Sequence, residues 1–267
     1  MWPPFAHPPA PQPHGSKILA ELRAHVARLE RADPALREQE WHPFGHAGVD
    51  AALPGGGLML GALHEVAGTG PDMEHAAAAA LFVAGCLARL PGTVLWVLER
   101  SDLFAPGLAA VGLHPARVLY AEAGKAATVL LVMEEGLREA GLAGVVGEVS
   151  GRLTLTASRR LQLAAERSGV TAFAIRRPRR HDDSTLLEPC AAVTRWQVAS
   201  LPSGPPLPAA PDVPGLARAR WRLELVRCRG GEAASWVVEA CDAQGRLGVV
   251  PDLADRQAAP GPRRASA

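Results

Sequence analysis

A glycine-rich turn followed by a helix is the part of the sequence closest to a nucleotide-binding loop. The segment from Gly68 to His75 follows a short predicted strand and precedes an alanine-rich stretch, the strand–turn–helix context in which backbone N–H groups bind phosphate. A working loop ends in glycine, lysine and a hydroxyl residue, whereas these positions hold Met73, Glu74 and His75. Glu74 would place negative charge against phosphate where a lysine is needed. We therefore predict that the turn, with Gly68 and Gly70, is retained as architecture and binds no nucleotide.

Two glutamates lie at predicted strand ends, where open α/β sheets place their active residues. Glu99 falls near a water-activating position and Glu148 near a metal-binding one. Without a phosphate loop we interpret both as solvated carboxylates. The nine histidines show no spacing typical of metal ligands, and neither G-x-S-x-G nor H-E-x-x-H occurs. We therefore expect no catalytic residues, no metal and no cofactor.

Arginine is concentrated in one stretch. Between residues 151 and 180 there are eight arginines and a single acid, Glu166, although the whole chain has a net charge of only +1. Four of these arginines, Arg176, Arg177, Arg179 and Arg180, surround Pro178, which blocks a helix there. Such a loop could be a solvated surface, or it could contact DNA phosphates or an acidic partner. No aromatic side chain interleaves with these four arginines, so only a weak, sequence-independent contact with DNA is expected.

The elements that must position these residues alternate regularly. Strands are predicted over 63–66, 94–99, 118–121, 143–149 and 170–176, and helices over 74–90, 105–111, 128–140 and 156–168. Strands separated by helical patterns of this length indicate βαβ units and a mostly parallel sheet. We expect the strands and helices from 63 to 176 to form a complete layered core without the residues that follow.

The last third of the chain has a different pattern. Strands over 193–199, 221–228 and 236–241 alternate apolar and polar residues, which favours antiparallel or hairpin strands added to the sheet. This third carries Trp196, Trp221 and Trp236, half of the six tryptophans. Tryptophan is enriched at interface hot spots, so we predict a partner contact here, with burial in the β extension as the alternative.

The start of the chain predicts a tail and an amphipathic helix. Residues 1–15 are rich in proline, and Ile18, Leu22, Val26 and Leu29 then recur at helical spacing. This apolar face could pack on the chain's own core, on a second subunit or on a partner.

Composition excludes several classes of protein. Apolar residues make up 48% of the 267 residues, and the four cysteines lie far apart, which is not the pattern of a disulfide scaffold. The first residues do not resemble a signal peptide, and the uncharged run from 76 to 88 is shorter than the roughly 20 residues of a membrane span. We expect a cytoplasmic protein with no membrane contact.

At this point the motifs resemble those of a known family. The segments from Leu53 to Val66, from Val94 to Glu99 with 108–113, and from Ser158 to Ile175 resemble the core of RecA-like recombinases. With the later segments 220–225 and 235–239, residues 16–256 are similar to the ImuA family, which is related to the SulA-type RecA-like proteins. The resemblance implies an α/β, three-layer RecA-like fold with a mostly parallel central sheet, an N-terminal helix and a C-terminal β extension.

The resemblance also implies a domain division. Residues 1–15 and 257–267 would be disordered tails, 16–44 an N-terminal helix and linker, 45–200 the RecA-like core and 201–256 the C-terminal β extension. Gly68 would occupy the start of the ancestral phosphate loop and Glu99 the catalytic-glutamate position of recombinases.

The function implied is that of a non-catalytic adaptor in translesion synthesis during the SOS response to DNA damage. Its partners would be an ImuB-like inactive relative of Y-family polymerases and an error-prone DnaE-type polymerase, with RecA and weakly bound DNA as further candidates. Two alternatives stay open: a divergent RecA-like DNA-dependent ATPase, and a SulA-like inhibitor of cell division.

Overall fold

The computed structural model describes residues 39–69, 72–150, 152–177, 188–207, 210 and 212–250, and for residues 72–74 it describes the backbone only. The helices are α1 (Ala47–Asp50), α2 (Asp72–Ala88), α3 (Ala105–Ala110), α4 (Ala126–Gly136) and α5 (Leu155–Ser168), with a 3₁₀ turn at Pro115–Arg117. The strands are β1 (Trp41–His42), β2 (Leu58–Met59), β3 (Leu63–Gly68), β4 (Thr93–Leu98), β5 (Val118–Glu122), β6 (Leu142–Val149), β7 (Thr171–Arg176), β8 (Thr194–Leu201), β9 (Arg220–Cys228), β10 (Ala234–Glu239) and β11 (Gly248–Val249).

In the described part of the chain, nine strands form one sheet in the order β11-β10-β9-β8-β3-β7-β6-β4-β5. The strands from β8 to β5 in this order are parallel, and β9, β10 and β11 continue the sheet with antiparallel pairs. Helix α2 packs on β3 and β8 from one side, whereas α4 and α5 cover β6, β3 and β7 from the other. The predicted α/β, three-layer architecture with a mostly parallel sheet is confirmed.

The sheet continues without a break into the last third of the chain. The expected antiparallel or hairpin pairing is confirmed for β9 and β10. Strand β8 follows it only on the side of β9, because it pairs in parallel with β3 on its other side. Trp196, Trp221 and Leu223 lie in the same buried cluster as Trp96 and Phe82. The core therefore needs β8 and β9, and the prediction that residues up to 176 close a core by themselves is wrong.

Two glycine positions show how tightly the parts pack. A Cβ atom at Gly55 would lie 1.9 Å from the Trp41 indole, which packs over the turn between α1 and β2. A Cβ atom at Gly68 would lie 2.8 Å from Cβ of His75, so glycine at the end of β3 allows α2 to approach the strand. Both glycines are explained by close packing.

Helix α4 ends four residues earlier than its sequence predicts. Past Gly136 the amides of Arg138 and Glu139 bond to carbonyls three residues back, which gives tight turns in place of α-helical bonds. Gly136 itself packs against Leu95 of β4, with no room for a Cβ atom. Within the described residues, no helix is long and apolar enough to cross a bilayer.

Candidate functional site at the carboxyl edge of the sheet

The carboxyl ends of β3, β4, β6 and β7 lie at the same edge of the sheet because these strands are parallel. Ligands of open α/β sheets bind outside this edge. The loops that follow these strands carry most of the residues that the sequence marked as chemical. This edge is therefore the candidate functional site.

A cluster of charges lies at the ends of β6 and β7, with Glu148 and Arg177 mostly buried and Asp102 partly exposed. Nη1 of Arg177 donates to Oε2 of Glu148 at 2.9 Å and to Oδ1 of Asp102 at 2.6 Å. The other oxygen of Glu148, Oε1, accepts the indole N–H of Trp96 at 2.9 Å. Glu148 is only 4% exposed, so the expectation that it is a solvated carboxylate is wrong. The cluster joins the ends of β6 and β7 to the loop after β4.

The two acids of this cluster respond differently to their surroundings. Burial raises the pKa of Glu148, against the opposing effects of the Trp96 hydrogen bond and the Arg177 charge. The hydrogen bond from Arg177 holds the pKa of Asp102 below its usual range, because Asp102 is much less buried. The charge of Arg177 thus balances the negative charges of two acids, the buried Glu148 and the partly exposed Asp102.

Glu99 and His75 also make contacts at this edge. Oε2 of Glu99 accepts the backbone N–H of Ser150 at 3.0 Å, which ties the loop after β4 to the loop after β6. Nδ1 of His75, in the first turns of α2, accepts the backbone N–H of Ser200 at 3.1 Å. His75 therefore connects α2 to β8 at the position where a phosphate loop carries its hydroxyl residue.

A cleft of about 480 Å³ opens beside the charge cluster. One wall is the alanine face of α2, which includes Ala76 and Ala80, and the other contains Phe104, whose side chain is largely exposed. Glu148 and Arg177 lie at the inner end of the cleft. The cleft is therefore mostly apolar, and its polar part consists of four charged side chains, Arg100, Asp102, Glu148 and Arg177.

A second buried charge cluster lies deeper, on β3, β7 and β8. Nη1 of Arg176 donates to Oε1 of Glu65 at 2.8 Å, and Nε of Arg195 donates to Oε2 of the same glutamate at 2.6 Å. The thiol of Cys190 also donates to Oε2, at 3.0 Å. Burial and the neighbouring Glu65 charge raise the pKa of Cys190, so its thiol stays protonated.

This cluster corrects one of the predicted contact residues. Arg176 is only 3% exposed and ends β7, so it lies in the interior and is not part of an exposed loop. Arg177 follows it on the opposite face and is also mostly buried by its own ion pairs. Arg179 and Arg180 lie outside the described residues.

The predicted tryptophan contacts are also changed by the structure. Trp196 and Trp221 are fully buried, so neither indole lies on a surface that a partner could reach. The Trp196 N–H donates to the hydroxyl of Thr194 at 2.7 Å, which satisfies it inside the core. Trp236 is half-buried and packs against Trp196 with ring centroids 6.3 Å apart. Burial in the core, the alternative reading from the sequence, holds for the first two.

Several predicted residues have no described surroundings. Gly70 and the apolar face of the N-terminal helix, Ile18, Leu22, Val26 and Leu29, lie outside the described residues, as do the side chains of Met73 and Glu74. Their roles stay predictions. In the described ranges, no three His, Cys, Asp or Glu side chains are close enough together to hold a metal ion.

Comparison with known proteins identifies the family. No family model matches the chain. Two curated proteins, both called Protein ImuA and both from Caulobacter vibrioides (strains NA1000 / CB15N and ATCC 19089 / CIP 103742 / CB 15), are 43% identical to it over 208 residues, which is 75% of this chain and 83% of theirs. The chain belongs to the ImuA family.

The fold of this ImuA-family chain is similar to that of a solved recombinase. The crystal structure of the RadB recombinase superposes with a TM-score of 0.54 and 16% sequence identity, over 78% of this chain and 99% of that one. At this identity the likeness concerns the fold alone. It confirms the RecA-like architecture that the motifs of the ImuA family imply.

The residues at the carboxyl edge do not fit a magnesium–nucleotide complex, which the RecA-like fold would imply. In phosphate-binding folds a strand-end acid helps to hold Mg²⁺. Here each oxygen of Glu148 already accepts a hydrogen bond, one from Trp96 and one from Arg177. The Arg177 guanidinium supplies the positive charge that a metal ion would otherwise bring to this acid. We therefore derive no chemistry from a bound nucleotide at this edge.

Sequence reasoning missed several members of the two charge clusters, among them Glu65, Arg195, Cys190 and Asp102. Glu65 lies beside His64 in a short strand whose six residues are all buried, and a charge in a strand predicted for the sheet interior needs a buried partner, which was a usable signal. Asp102 lies in a loop with no pattern around it, and only the fold brings it to Arg177. Its role was not visible in the sequence.

Proposed function

We propose that this chain is a non-catalytic adaptor of the DNA-damage-induced mutagenesis machinery. Membership of the ImuA family supports a role in damage-induced mutagenesis. In this proposal the chain connects an ImuB-like inactive polymerase relative with an error-prone DnaE-type polymerase, and RecA or DNA is a further contact. The RecA-like core would serve as a scaffold that presents surfaces.

The pairing of Arg177 with Glu148 and Asp102 is the observation that carries the non-catalytic part of the proposal. These ion pairs use the acid at the end of β6 for internal neutralisation. His75, at the hydroxyl position of the loop, accepts a hydrogen bond from the backbone of β8. A carboxyl edge arranged in this way supports the fold and leaves activity to the outer surfaces.

The antiparallel end of the sheet supplies one such surface. Val237 on β10 is 49% exposed and Val249 on β11 is 69% exposed, and β11 is a two-residue strand at the end of the sheet order. Strand β11 pairs with β10 only at Val238 and Glu239, so within the described residues the rest of the β10 edge keeps unpaired backbone groups, which favour pairing with another chain. We place the contact with the ImuB-like protein here, next to the half-buried Trp236, and keep Arg179, Arg180 and the helix from Ile18 to Leu29 as proposed secondary contacts.

The test is genetic. Deleting the gene should lower the frequency of mutations after ultraviolet irradiation, and the wild-type chain should restore it. Glu99→Gln, which keeps an acceptor for the Ser150 N–H, should restore it equally well, because the proposed adaptor hydrolyses nothing.

The same strains separate the alternatives. If the Glu99→Gln protein is folded but fails to restore mutagenesis, the result would favour the alternative that the chain is a DNA-dependent ATPase. A deletion with no effect on mutagenesis, together with filamentation of cells that overproduce the chain, would favour the division inhibitor.

A further inference from the structure

Helix α5 carries a regular stripe of leucine and arginine on its outer side. Leu155, Arg159, Leu163 and Arg167 are spaced four residues apart, so their side chains follow one another along one side of the helix. All four are exposed, and the two leucines are 42% and 50% exposed. The opposite side of α5, which includes Leu161, is buried against the sheet. The stripe is therefore an outward surface that the fold itself does not use.

A cleft runs beside this stripe, between α5 and the C-terminal end of α4. Its volume is about 400 Å³, and Leu137, Ala140, Leu163 and Ala164 provide its apolar lining. Leu163 belongs to both the stripe and the cleft, which makes them one continuous surface. An apolar side chain entering the cleft would contact Ala140, Leu163 and Ala164 and cover the exposed part of Leu163.

The charges around the cleft are unbalanced. Glu134, its acid, is already paired with Arg160 at 2.6 Å and with Arg138 at 3.3 Å. Arg159 and Arg167, on the stripe, form no ion pair with any described residue. Positive charge therefore remains available along the stripe for an incoming carboxylate.

The one acid of α5 does not change this balance. Glu166 lies within 3.7 Å of Arg229 from the end of the β8–β9 hairpin, and it accepts a hydrogen bond from Gln162. The carboxylate of Glu166 thus pairs with Arg229 and does not neutralise the arginines of the stripe.

We propose that the α5 stripe and the neighbouring cleft bind an acidic amphipathic segment of a protein partner. An apolar residue of the size of leucine or phenylalanine would enter the cleft, and flanking carboxylates would pair with Arg159 and Arg167. Exposed leucines between the arginines favour a protein over a nucleic acid, since phosphates offer leucine no apolar contact and the stripe has no aromatic side chain for base stacking. This inference rests on the proposed adaptor function for the existence of a partner.

The experiment uses the full-length chain and a phage-displayed library of random peptides. We expect the enriched peptides to contain leucine or phenylalanine flanked by aspartate or glutamate. We expect the peptide affinity, measured by fluorescence polarisation, to fall roughly tenfold in each of two variants. One variant carries both Arg159→Glu and Arg167→Glu, and the other carries Leu163→Asp. The affinity of the wild-type chain should also weaken as the salt concentration rises. Circular dichroism and melting should show that both variants stay folded, because the changed side chains are exposed.

Matched controls are available elsewhere on the surface. Arg222→Glu changes an exposed arginine of β9, and Leu131→Asp changes a leucine of α4 that is 57% exposed and does not line the cleft. Both controls should leave peptide affinity unchanged.

Three results would overturn the proposal: no enrichment of acidic apolar peptides, equal loss of affinity in the control variants, or no loss in the stripe variants. A single-stranded oligonucleotide that competes with the peptides and loses affinity in the same stripe variants would assign the surface to nucleic acid instead. The mutation-frequency assay is independent of these outcomes, so failure of the stripe proposal is distinguishable from failure of the adaptor proposal.

Discussion

Arg176 and Glu65 form an ion pair in the interior of the sheet, with 2.8 Å between Nη1 and Oε1 and with both side chains at most 3% exposed. The pair links β7 to β3, neighbouring strands at the centre of the sheet. A buried charge that loses its partner is costly, because it keeps the penalty of desolvation without the compensating attraction. The pair therefore makes Arg176 a structural residue.

Replacing Arg176 tests this role against the predicted DNA or partner contact. We expect Arg176→Ala to lower the free energy of unfolding by about 3–5 kcal/mol, since it leaves Glu65 buried with one arginine fewer. The exposed Arg159→Ala should change it by less than about 0.5 kcal/mol. Urea denaturation monitored by circular dichroism measures both. Similar small effects of the two substitutions would show that Arg176 is not structural.

The Arg177–Glu148 pair predicts an effect of pH. Burial holds the pKa of Glu148 above its ordinary value of 4.5, so this group destabilises the folded state increasingly as pH rises from about 4.5 through the folded pKa. Arg177→Ala removes a charge that opposes this shift. The variant should therefore lose more stability than the wild type between pH 5 and pH 8, by about 3 kcal/mol at the upper end.

Glu148→Gln is the control for this prediction. It removes the charge and keeps an oxygen that accepts the Trp96 N–H. In the Glu148→Gln background, Arg177→Ala should cost much less, and its pH dependence should flatten. A cost that is the same in both backgrounds would mean that the two residues do not interact energetically.

His64 predicts a loss of stability in acid. Its ring is fully buried, and burial lowers its pKa from 6.5 to about 4. Nε2 donates to the carbonyl of Met59, and Nδ1 accepts from the hydroxyl of Thr194, so the neutral ring fits both partners. The unfolded chain binds one more proton than the folded chain between these pKa values. The contribution of His64 is therefore complete above pH 6.5 and is lost as pH falls towards 4, by at most about 1.4 kcal/mol per pH unit.

Denaturation of wild type, His64→Gln and His114→Asn at several pH values checks this. His64→Gln should be less stable at neutral pH and should show a flatter pH profile. His114 is exposed, and asparagine can keep its hydrogen bond to the Ala116 N–H, so His114→Asn should behave like the wild type. An unchanged slope in His64→Gln would assign the acid sensitivity to other groups.

Two tryptophans in the last third of the chain differ in burial, so we expect their replacement by alanine to lower the stability of the protein by different amounts. Trp196→Ala should destabilise the protein by about 3–5 kcal/mol, because it empties a fully buried site in the main core. Trp236→Ala should cost clearly less, because that indole is half-buried. Thermal unfolding measures both, and co-purification of an ImuB-like protein shows whether Trp236 also contributes to binding. An equal cost would place Trp236 in the core with Trp196.

Much of the fold could be predicted from the sequence, because the alternation of apolar strands and helices is regular from Leu63 to Arg176. The continuation was harder to predict. Strand β8 alternates apolar and polar residues like an antiparallel strand, yet it pairs in parallel with β3 on one side and antiparallel with β9 on the other. Local patterns report which face of a strand is buried, and they do not report its neighbours.

The candidate site was predictable only in part. The unsuitable loop residues Glu74 and His75 could be read directly, because a phosphate loop needs fixed residue types at fixed spacing. The roles of the arginines could not be predicted, since Arg176 and Arg177 are neighbours of the same type in the sequence but pair with different acids in the structure. Two of their partners, Glu65 and Asp102, are more than seventy residues away along the chain.

Titration with ATP and Mg²⁺ tests the central claim most directly, namely that this RecA-like core works without a nucleotide. Isothermal titration calorimetry of the full-length chain should show no saturable binding up to millimolar ATP, while an active recombinase measured in the same buffer should bind. Binding with micromolar affinity that is abolished by a substitution at Gly68 or Gly70 would contradict the account and make the ATPase the better description of this protein.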